Sequence, residues 1–535
     1  MSIVVVGSGA SAVHFARSAL ERGNDVLMLD VGRARPDPVR PEDDFESLKT
    51  NLDDPAAHFL GDRFEAVIYP GADSEYYGFP PNKNYVFDGI DSFRARSTGF
   101  APLFSFAQGG LAEAWTAGAF PFNAGEMADF PFPYEELRPY YDRIADRIGI
   151  AGADDDLAAH LPLPEGILEP LRLDEHSRRL LDRAAAKRSD LRALGAVVGR
   201  SRMATLSQEK NGRPACSYLG RCLMGCPTES LYTPVITLRE CLKHPRFTYR
   251  SGVHVRWFEA DGDRVRSVVV ERLEDGELEE IPADALALGA GTLATGHIFL
   301  ESWRRARREV IRLQGLMDNR QVLAPFLNPS MIRRPHDPET YQYHQVLIGM
   351  TAEDPRDYIH GIVTTLKTAQ IHPIVQSVPF DLRTALFVFR NVHAALGLVN
   401  VNFPDRRRDS CYLTLDAEGV EADGMPPLRI HYEPPPGERA RIRAALRRFR
   451  RTLGKLGCFL MPGMSHVRPM GASVHYAGTI PMTRESEPLT ATPEGRSRDF
   501  DNLWFVDGTT FPFLPAKNLT LTLMANAARI ADRSF

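Results

Sequence analysis

The sequence predicts an α/β fold, with a Rossmann-like nucleotide-binding domain and a second domain built on a mostly antiparallel sheet. Three observations predict it. The chain opens on strand, glycine turn, helix and strand over residues 3–32, and it closes on strand, Asp-Gly turn and helix over 501–532. Between them, TYQYHQVLIGM (340–350), YIHGIVTTL (358–366), CYLTLD (411–416) and LRIHYE (428–433) alternate with the period of a pleated strand.

In the opening segment Ile3–Val6 reads as a short buried strand, and Gly7, Ser8 and Gly9 as a tight turn. A helix over 11–22 follows, with Val13, Phe15, Ala16 and Leu20 on its apolar side. A second strand, Val26–Leu29, ends in Asp30. Gly7 lets the chain reverse, and Gly9 lets backbone amides approach a pyrophosphate at the helix N-terminus. Asp30, 23 residues after Gly7, stands where a carboxylate takes both ribose hydroxyls. Ala12 replaces the third glycine and is still small enough for close helix–strand packing. These residues fit FAD and NAD equally.

The closing segment, DNLWFVDGTTFPFLPAKNLTLTLMANAARIAD (501–532), reads as a strand at Leu503–Val506, an Asp-Gly turn, a proline-rich loop and a helix from near Leu519. Taken with HYAGTIPM (475–482), it resembles the C-terminal signature of the glucose–methanol–choline (GMC) oxidoreductases, a family of FAD enzymes. AQGGLAEAWTAGAFPF (107–122) resembles that family's Gly-Gly loop beside the flavin, and FPYEELRPYYDRIADRIGIAG (132–152) the helix leading out of it. YRSGVHVRWFEADGDRVRSVVVE (249–271) and ALALGAGTLATGHIFLES (285–302) resemble the adenine-side strands and the strand–helix turn after them.

The resemblance implies the GMC fold. Its FAD-binding domain would comprise 1–34, 90–130, 205–320 and 461–535, and its substrate domain 131–204 and 321–460, with 35–89 an unassigned insertion. It implies cofactor contacts from Gly7, Gly9, Ala10, Ser11, Asp30, Gly109, Gly110, Val255, Asp507, Gly508, Asn518 and Leu519. Trp115 and Thr116 after the Gly-Gly pair resemble the pyranose oxidases, in which a histidine before the tryptophan bonds covalently to the flavin. That position is Ala114 here, so the FAD is expected to be held without a covalent bond.

Oxidising an alcohol removes a proton from oxygen and a hydride from the neighbouring carbon. Flavin N5 accepts the hydride, and imidazole titrates near neutrality, which suits a base for the proton. The resemblance carries the family's catalytic histidine onto His475 and its partner onto Asn518, where a helix N-terminus favours developing negative charge. A histidine in a loop is also an ordinary structural residue, and an asparagine before a helix an ordinary N-cap.

Three further segments carry expectations. ERARIRAALRRFRRTLGKL (438–456) sets Ile442, Leu446, Phe449, Leu453 and Leu456 on one helical face, with arginines in solvent on the other. LRTALFVFRNVHAALGLVNV (382–401) reads as a buried helix rather than a membrane span, since Arg390, Asn391 and His393 interrupt it. CSYLGRCLMGCP (216–227) spaces Cys216, Cys222 and Cys226 as C-x5-C-x3-C-P, a ferredoxin-type run with Leu219 in place of one cysteine. Structural thiols are the favoured reading over a three-iron cluster. The fifteen histidines form no HxH or HExxH arrangement, so no catalytic metal is expected.

With 535 residues, 43% of them hydrophobic, and a formal net charge of −5, the chain can bury a large core and has no bias toward nucleic acid. Only eight of its 64 basic residues are lysine. The start, MSIVVVGSG, has no basic segment or cleavage site, no stretch is long and apolar enough to span a bilayer, and six cysteines make no disulfide scaffold. A cytoplasmic location is the default expectation. The reading is an FAD-dependent oxidoreductase acting on a hydroxyl of a sugar, glycoside or related alcohol, with oxygen or another electron acceptor. The alternatives are a flavoprotein of this family with lyase-like chemistry and a catalytically silent flavin-binding protein.

Overall fold

The computed structural model describes residues 2–64, 66, 79–341, 343–366, 374–375, 378–418 and 424–535. Its nucleotide domain is organised by a five-stranded parallel sheet in the order Leu503–Phe505, Ala285–Leu288, Ser2–Val6, Asp25–Leu29, Phe247–Arg250. The strands are almost continuously apolar because helices cover both faces. On one side Val13, Phe15 and Ala16 of helix Ala10–Glu21 pack with Ala527 and Ile530 of the last helix, Thr520–Ser534. The two ends of the chain therefore complete one core. Strands Val253–Asp261, Arg264–Arg272 and Leu278–Pro282 form a separate antiparallel sheet, and helix Thr292–Arg307 follows strand Ala285–Leu288 through Gly289–Gly291.

The second large sheet has seven strands. Along its path lie Phe459–Leu460, Gln321–Leu327, Leu396–Asn402, Ile359–Thr365, Val346–Met350 and Ala196–Arg200, with His466–Val467 also pairing to Gln321–Leu327. Every pairing in it is antiparallel. On one face Val322, Phe326, Ile348 and Val399 pack against Ile442, Phe449 and Leu453 of helix Glu438–Lys455. Of the stripe its sequence predicts, that helix buries Ile442, Phe449 and Leu453, with Leu456 just beyond it also buried and Leu446 half-buried.

Three expectations need correction. Tyr412–Leu415 and Leu428–His431 are strands, but they belong to a separate four-stranded sheet with Leu313–Gln314 and Ala95–Thr98, not to the wall formed by the other two. Alternation identifies a strand but not its partner, and Leu428–His431 pairs on its outer side with Ala95–Thr98, more than 300 residues earlier. In 340–350 only Val346–Met350 is a strand, because His344 takes a left-handed backbone (φ +59°); residue 342 lies outside the described residues. Residues 382–401 are not one buried helix. Helix Leu382–Val392 buries only Ala385 and leaves Leu382 68% and Phe387 64% exposed, and Leu396–Asn402 is a strand. The apolar stretch joined two periodicities, 3.6 and 2, that composition alone did not separate.

Residues 35–64 and 79–89 dock on the cysteine loop. Phe45, Leu48 and Phe59 cluster with Met224, and the Arg221 guanidinium donates to the carbonyls of Val39, Arg40 and Asp43.

Phe449 is fully buried, and its ring fills the space above Gly361 of the sheet. Phe449→Ala is expected to cost about 3–5 kcal/mol through lost burial and the cavity left behind. Thermal unfolding checks this; an unchanged midpoint would contradict the packing described.

Candidate active site

A cleft of about 1360 Å³, counting its open mouth, runs from the first glycine turn to His475. Gly7 has φ +91°, and a Cβ there would meet the Gly289 carbonyl at 2.8 Å, so only glycine fits. At Gly9 a Cβ would meet nothing within 4 Å, which leaves the N-terminus of helix Ala10–Glu21 open to the cleft. Gly110, at φ +64°, brings the second glycine loop within reach of Gly9. Ser8 joins the two loops: its hydroxyl donates to Asp30 and accepts from the Gly109 amide at 2.9 Å. The Tyr249 hydroxyl also donates to Asp30, at 3.0 Å. Burial pushes the Asp30 carboxyl up to about 6, against the pull of Ser8 and Tyr249.

Of the residues singled out from sequence, Gly7, Gly9, Ala10, Ser11, Asp30, Gly110, Val255, Asp507, Gly508, Leu519 and His475 line this one cleft. Gly109 and Asn518 do not line it, though the Gly109 amide donates to Ser8, which does. The Asp507 carboxylate is committed within the protein. One oxygen accepts from Gly291 N (2.9 Å) and Thr295 Oγ1 (2.6 Å), the other from Thr509 N (3.0 Å) and Oγ1 (2.8 Å). It braces the cleft rather than offering a free acceptor to it.

His475 is half-buried, with Nδ1 3.0 Å from Asn319 Oδ1. The Asn319 amide nitrogen donates to the carbonyls of Phe403 and Pro515, both at 2.9 Å, so its oxygen must face the imidazole. Nδ1 therefore carries the proton, and the Nε2 lone pair is left for another partner. Burial, and secondarily Arg468, hold the imidazole down to about 4, so it is neutral at ordinary pH. The His475 amide donates to Ser473 Oγ at 3.0 Å, and that hydroxyl donates to Asp318, whose carboxyl burial raises to about 7.

Asn518 does not act as a helix cap. The last helix begins at Thr520, Leu519 occupies the cap position, and no side chain caps it. The Asn518 amide instead packs on Gly118, where a Cβ would stand 3.0 Å from Nδ2. Lys517 anchors the loop: fully buried, its ammonium donates to Glu126 Oε2 (2.6 Å) and to the carbonyls of Pro121 (3.1 Å) and His160 (2.5 Å). Asn319, through Pro515, ties His475 to the same loop. Sequence reasoning missed Tyr249, Asn319 and Lys517. Ser8, between the two glycines, was the one legible addition.

Cys216, Cys222 and Cys226 are half-buried, outside the cleft, and not in disulfides. Cys226 Sγ sits 3.2 Å from Ser230 Oγ and 3.4 Å from Thr228 Oγ1, and burial pushes the Cys216 thiol up to about 11. Among the described residues no group of three His, Cys, Asp or Glu side chains is placed to hold a metal ion.

The parallel sheet, the paired glycine loops and the Asp30 carboxylate at the end of the second strand are the features of a dinucleotide-binding fold. Residues 407–527 match the GMC oxidoreductase family model. The chain is 24% identical to 6'''-hydroxyparomomycin C oxidase of Streptomyces lividus, over 98% of this chain and 90% of that protein. It is 25% identical to paromamine 6'-oxidase of Streptomyces fradiae, over 99% and 90%. In fold it is similar to pyridoxine 4-oxidase from Mesorbium loti, with a TM-score of 0.58 at 16% identity, over 100% of this chain and 99% of that one. The chain is thus similar to GMC oxidoreductases, by family model over residues 407–527 and in fold over its whole length, and the cofactor that this similarity implies is FAD. The cleft fits that cofactor: a helix N-terminus and close-set glycines for a pyrophosphate, Asp30 for a ribose, and the opposite end open at His475.

Two outcomes test this geometry. Because His475 is held to about 4, flavin reduction by substrate should be level from neutrality to about pH 5 and fall only as the imidazole protonates below that. Asn319→Asp sets a carboxylate against Nδ1, which favours the imidazolium and should move that acid limb upward by a unit or more. An acid limb that does not move would contradict the His475–Asn319 contact.

Proposed function

We propose that this protein oxidises a hydroxyl group of a sugar, glycoside or related alcohol, with His475 as general base and Asn518 orienting the hydroxyl. The observation that carries the reading is the imidazole held through Nδ1 by Asn319, with Nε2 directed away from that contact. FAD, when bound, supplies a two-electron acceptor for the hydrogen leaving the carbinol carbon. The protein's own part is to place the alcohol and take its proton. His475 Nε2 receives the hydroxyl proton, and the Asn518 amide donates to the same oxygen. Thr520, the first residue of the last helix, lines the cleft, and the unpaired amides of a helix's first turn favour developing negative charge.

The names of the two Streptomyces relatives, both oxidases of aminoglycosides, support a polyhydroxylated substrate. We also propose that FAD is held without a covalent bond, because Ala114 offers no nucleophile, and that oxygen or another acceptor takes the electrons onward. Six cysteines outside disulfides suit a cytoplasmic setting. No helix among the described residues is long and apolar enough to cross a membrane.

Anaerobic addition of a substrate alcohol should bleach the flavin band. Asn518→Ala should slow that bleaching by about tenfold or more while FAD stays bound, as expected when an orienting hydrogen bond is lost. A flavoprotein that no hydroxylated compound bleaches would refute the reading. Acid precipitation should release the yellow colour into the supernatant; colour retained in the pellet would refute non-covalent binding.

A further inference from the structure

The most exposed large apolar side chains among the described residues are Leu382, Phe459, Phe387 and Phe380, each exposed by 62% or more. They gather at one end of the seven-stranded sheet. There Leu327 pairs with Phe459 on one side and with Leu396 on the other. Leu396 follows helix Leu382–Val392 through the turn His393–Ala395, and Phe380 stands just before that helix. The turn Pro329–Met331 closes against the same helix, where the Arg333 amide donates to the Asn391 carbonyl at 2.8 Å, and it adds the exposed Ile332.

Helix Leu382–Val392 is short of packing. It carries Leu382, Leu386, Phe387, Val388, Phe389 and Val392, yet Ala385 is its only buried side chain. A helix of eleven residues draws its stability mainly from burying an apolar face, so this one lacks a partner. Charge indicates which partner. Arg383 and Arg390, both exposed, stand four residues before Phe387 and three after it, and so flank it on the same face. The neighbouring turn adds exposed Arg333 and Arg334, and helix Glu438–Lys455, which leads into Phe459, adds exposed Arg450 and Arg451. Among the described residues no ion pair engages these six arginines. The one acid beside them, Asp381, is spent on the Thr384 amide and hydroxyl, at 3.1 and 2.6 Å. A chain of net charge −5 therefore keeps unpaired cations around its most exposed apolar side chains.

We propose that this end of the protein docks on an anionic membrane surface, with Phe380, Leu382 and Phe387 entering the acyl boundary and the arginines meeting lipid phosphates. A helix with phenylalanine and leucine exposed between arginines lies in that interface without crossing it. A bilayer also accepts protruding side chains without matching their shape. A second copy of the chain suits the face less, because a two-fold contact would set arginine against arginine. The strand from Leu327 to Gln321 runs from this face toward Asn319, the partner of His475. Its length of roughly 20 Å, at about 3.3 Å per residue, keeps substitutions here away from the cleft.

The test is flotation of the purified flavoprotein with vesicles of phosphatidylcholine alone and of phosphatidylcholine mixed with phosphatidylglycerol. The protein should float with the mixed vesicles only, and rising salt should release it. Phe387→Ser should weaken this binding by about tenfold or more, as expected when a buried phenyl ring is lost. Arg383→Glu combined with Arg390→Glu should weaken it by about twentyfold or more. Phe387→Trp should bind as the unaltered protein does, and all three variants should keep their flavin absorption. Phe380→Ser, outside the helix, takes the place of Phe387→Ser should that variant fail to fold. No flotation with the mixed vesicles overturns the proposal; a dimer that Phe387→Ser dissociates would then assign the face to a second copy. Flotation that salt controls but both serine variants leave unchanged also overturns it, because the apolar side chains would then have no part in binding.

Discussion

The active site depends on one buried carboxylate. Asp507 accepts four hydrogen bonds, two from the start of helix Thr292–Arg307 and two from the turn at Thr509. Burial raises its pKa, and the four donors oppose that rise by favouring the ionised form. The turn it fixes then receives the loop that carries His475. The Gly478 amide donates to the Gly508 carbonyl at 2.9 Å, and Thr292 Oγ1 donates to the Tyr476 carbonyl at 2.7 Å. A Cβ on Gly508 would come within 2.4 Å of that same carbonyl, so the loop's approach needs glycine there. His475 stands where it does because segments far apart in sequence converge on Asp507.

The other positioning device is the commitment of Asn319. An amide bonded to a single partner could turn over and exchange oxygen for nitrogen. With its nitrogen held by two carbonyls, Asn319 fixes both the orientation and the tautomer of His475. Lys517 does the equivalent for the loop that carries Asn518, through a buried ion pair with Glu126 and two carbonyls. Breaking such a pair leaves an uncompensated buried charge, so the loop's conformation is strongly determined.

The nucleotide domain was legible because its determinants are local. A glycine turn between two strands, an acid at the end of the second, and an Asp-Gly turn before a helix are each contained within about thirty residues. The cleft gathers eleven of the residues so identified. The second domain was legible only in part. Helix Glu438–Lys455 declared its buried stripe, whereas Leu428–His431 gave no sign that one of its partners lay at Ala95–Thr98. Asn319, Tyr249 and Lys517 lie in no motif, and their roles follow from contacts across 156, 219 and 391 residues of sequence. Such contacts leave no local periodicity to read.

The account stands on His475 Nε2 as the base that receives the hydroxyl proton. The most direct measurement is the anaerobic rate of flavin reduction by a substrate alcohol in His475→Ala, with and without added imidazole. Loss of a general base should slow reduction by at least about a hundredfold with FAD still bound. Free imidazole should restore part of the rate, more so as pH rises and its neutral form accumulates. Reduction as fast as in the unaltered protein, without imidazole, would contradict the account.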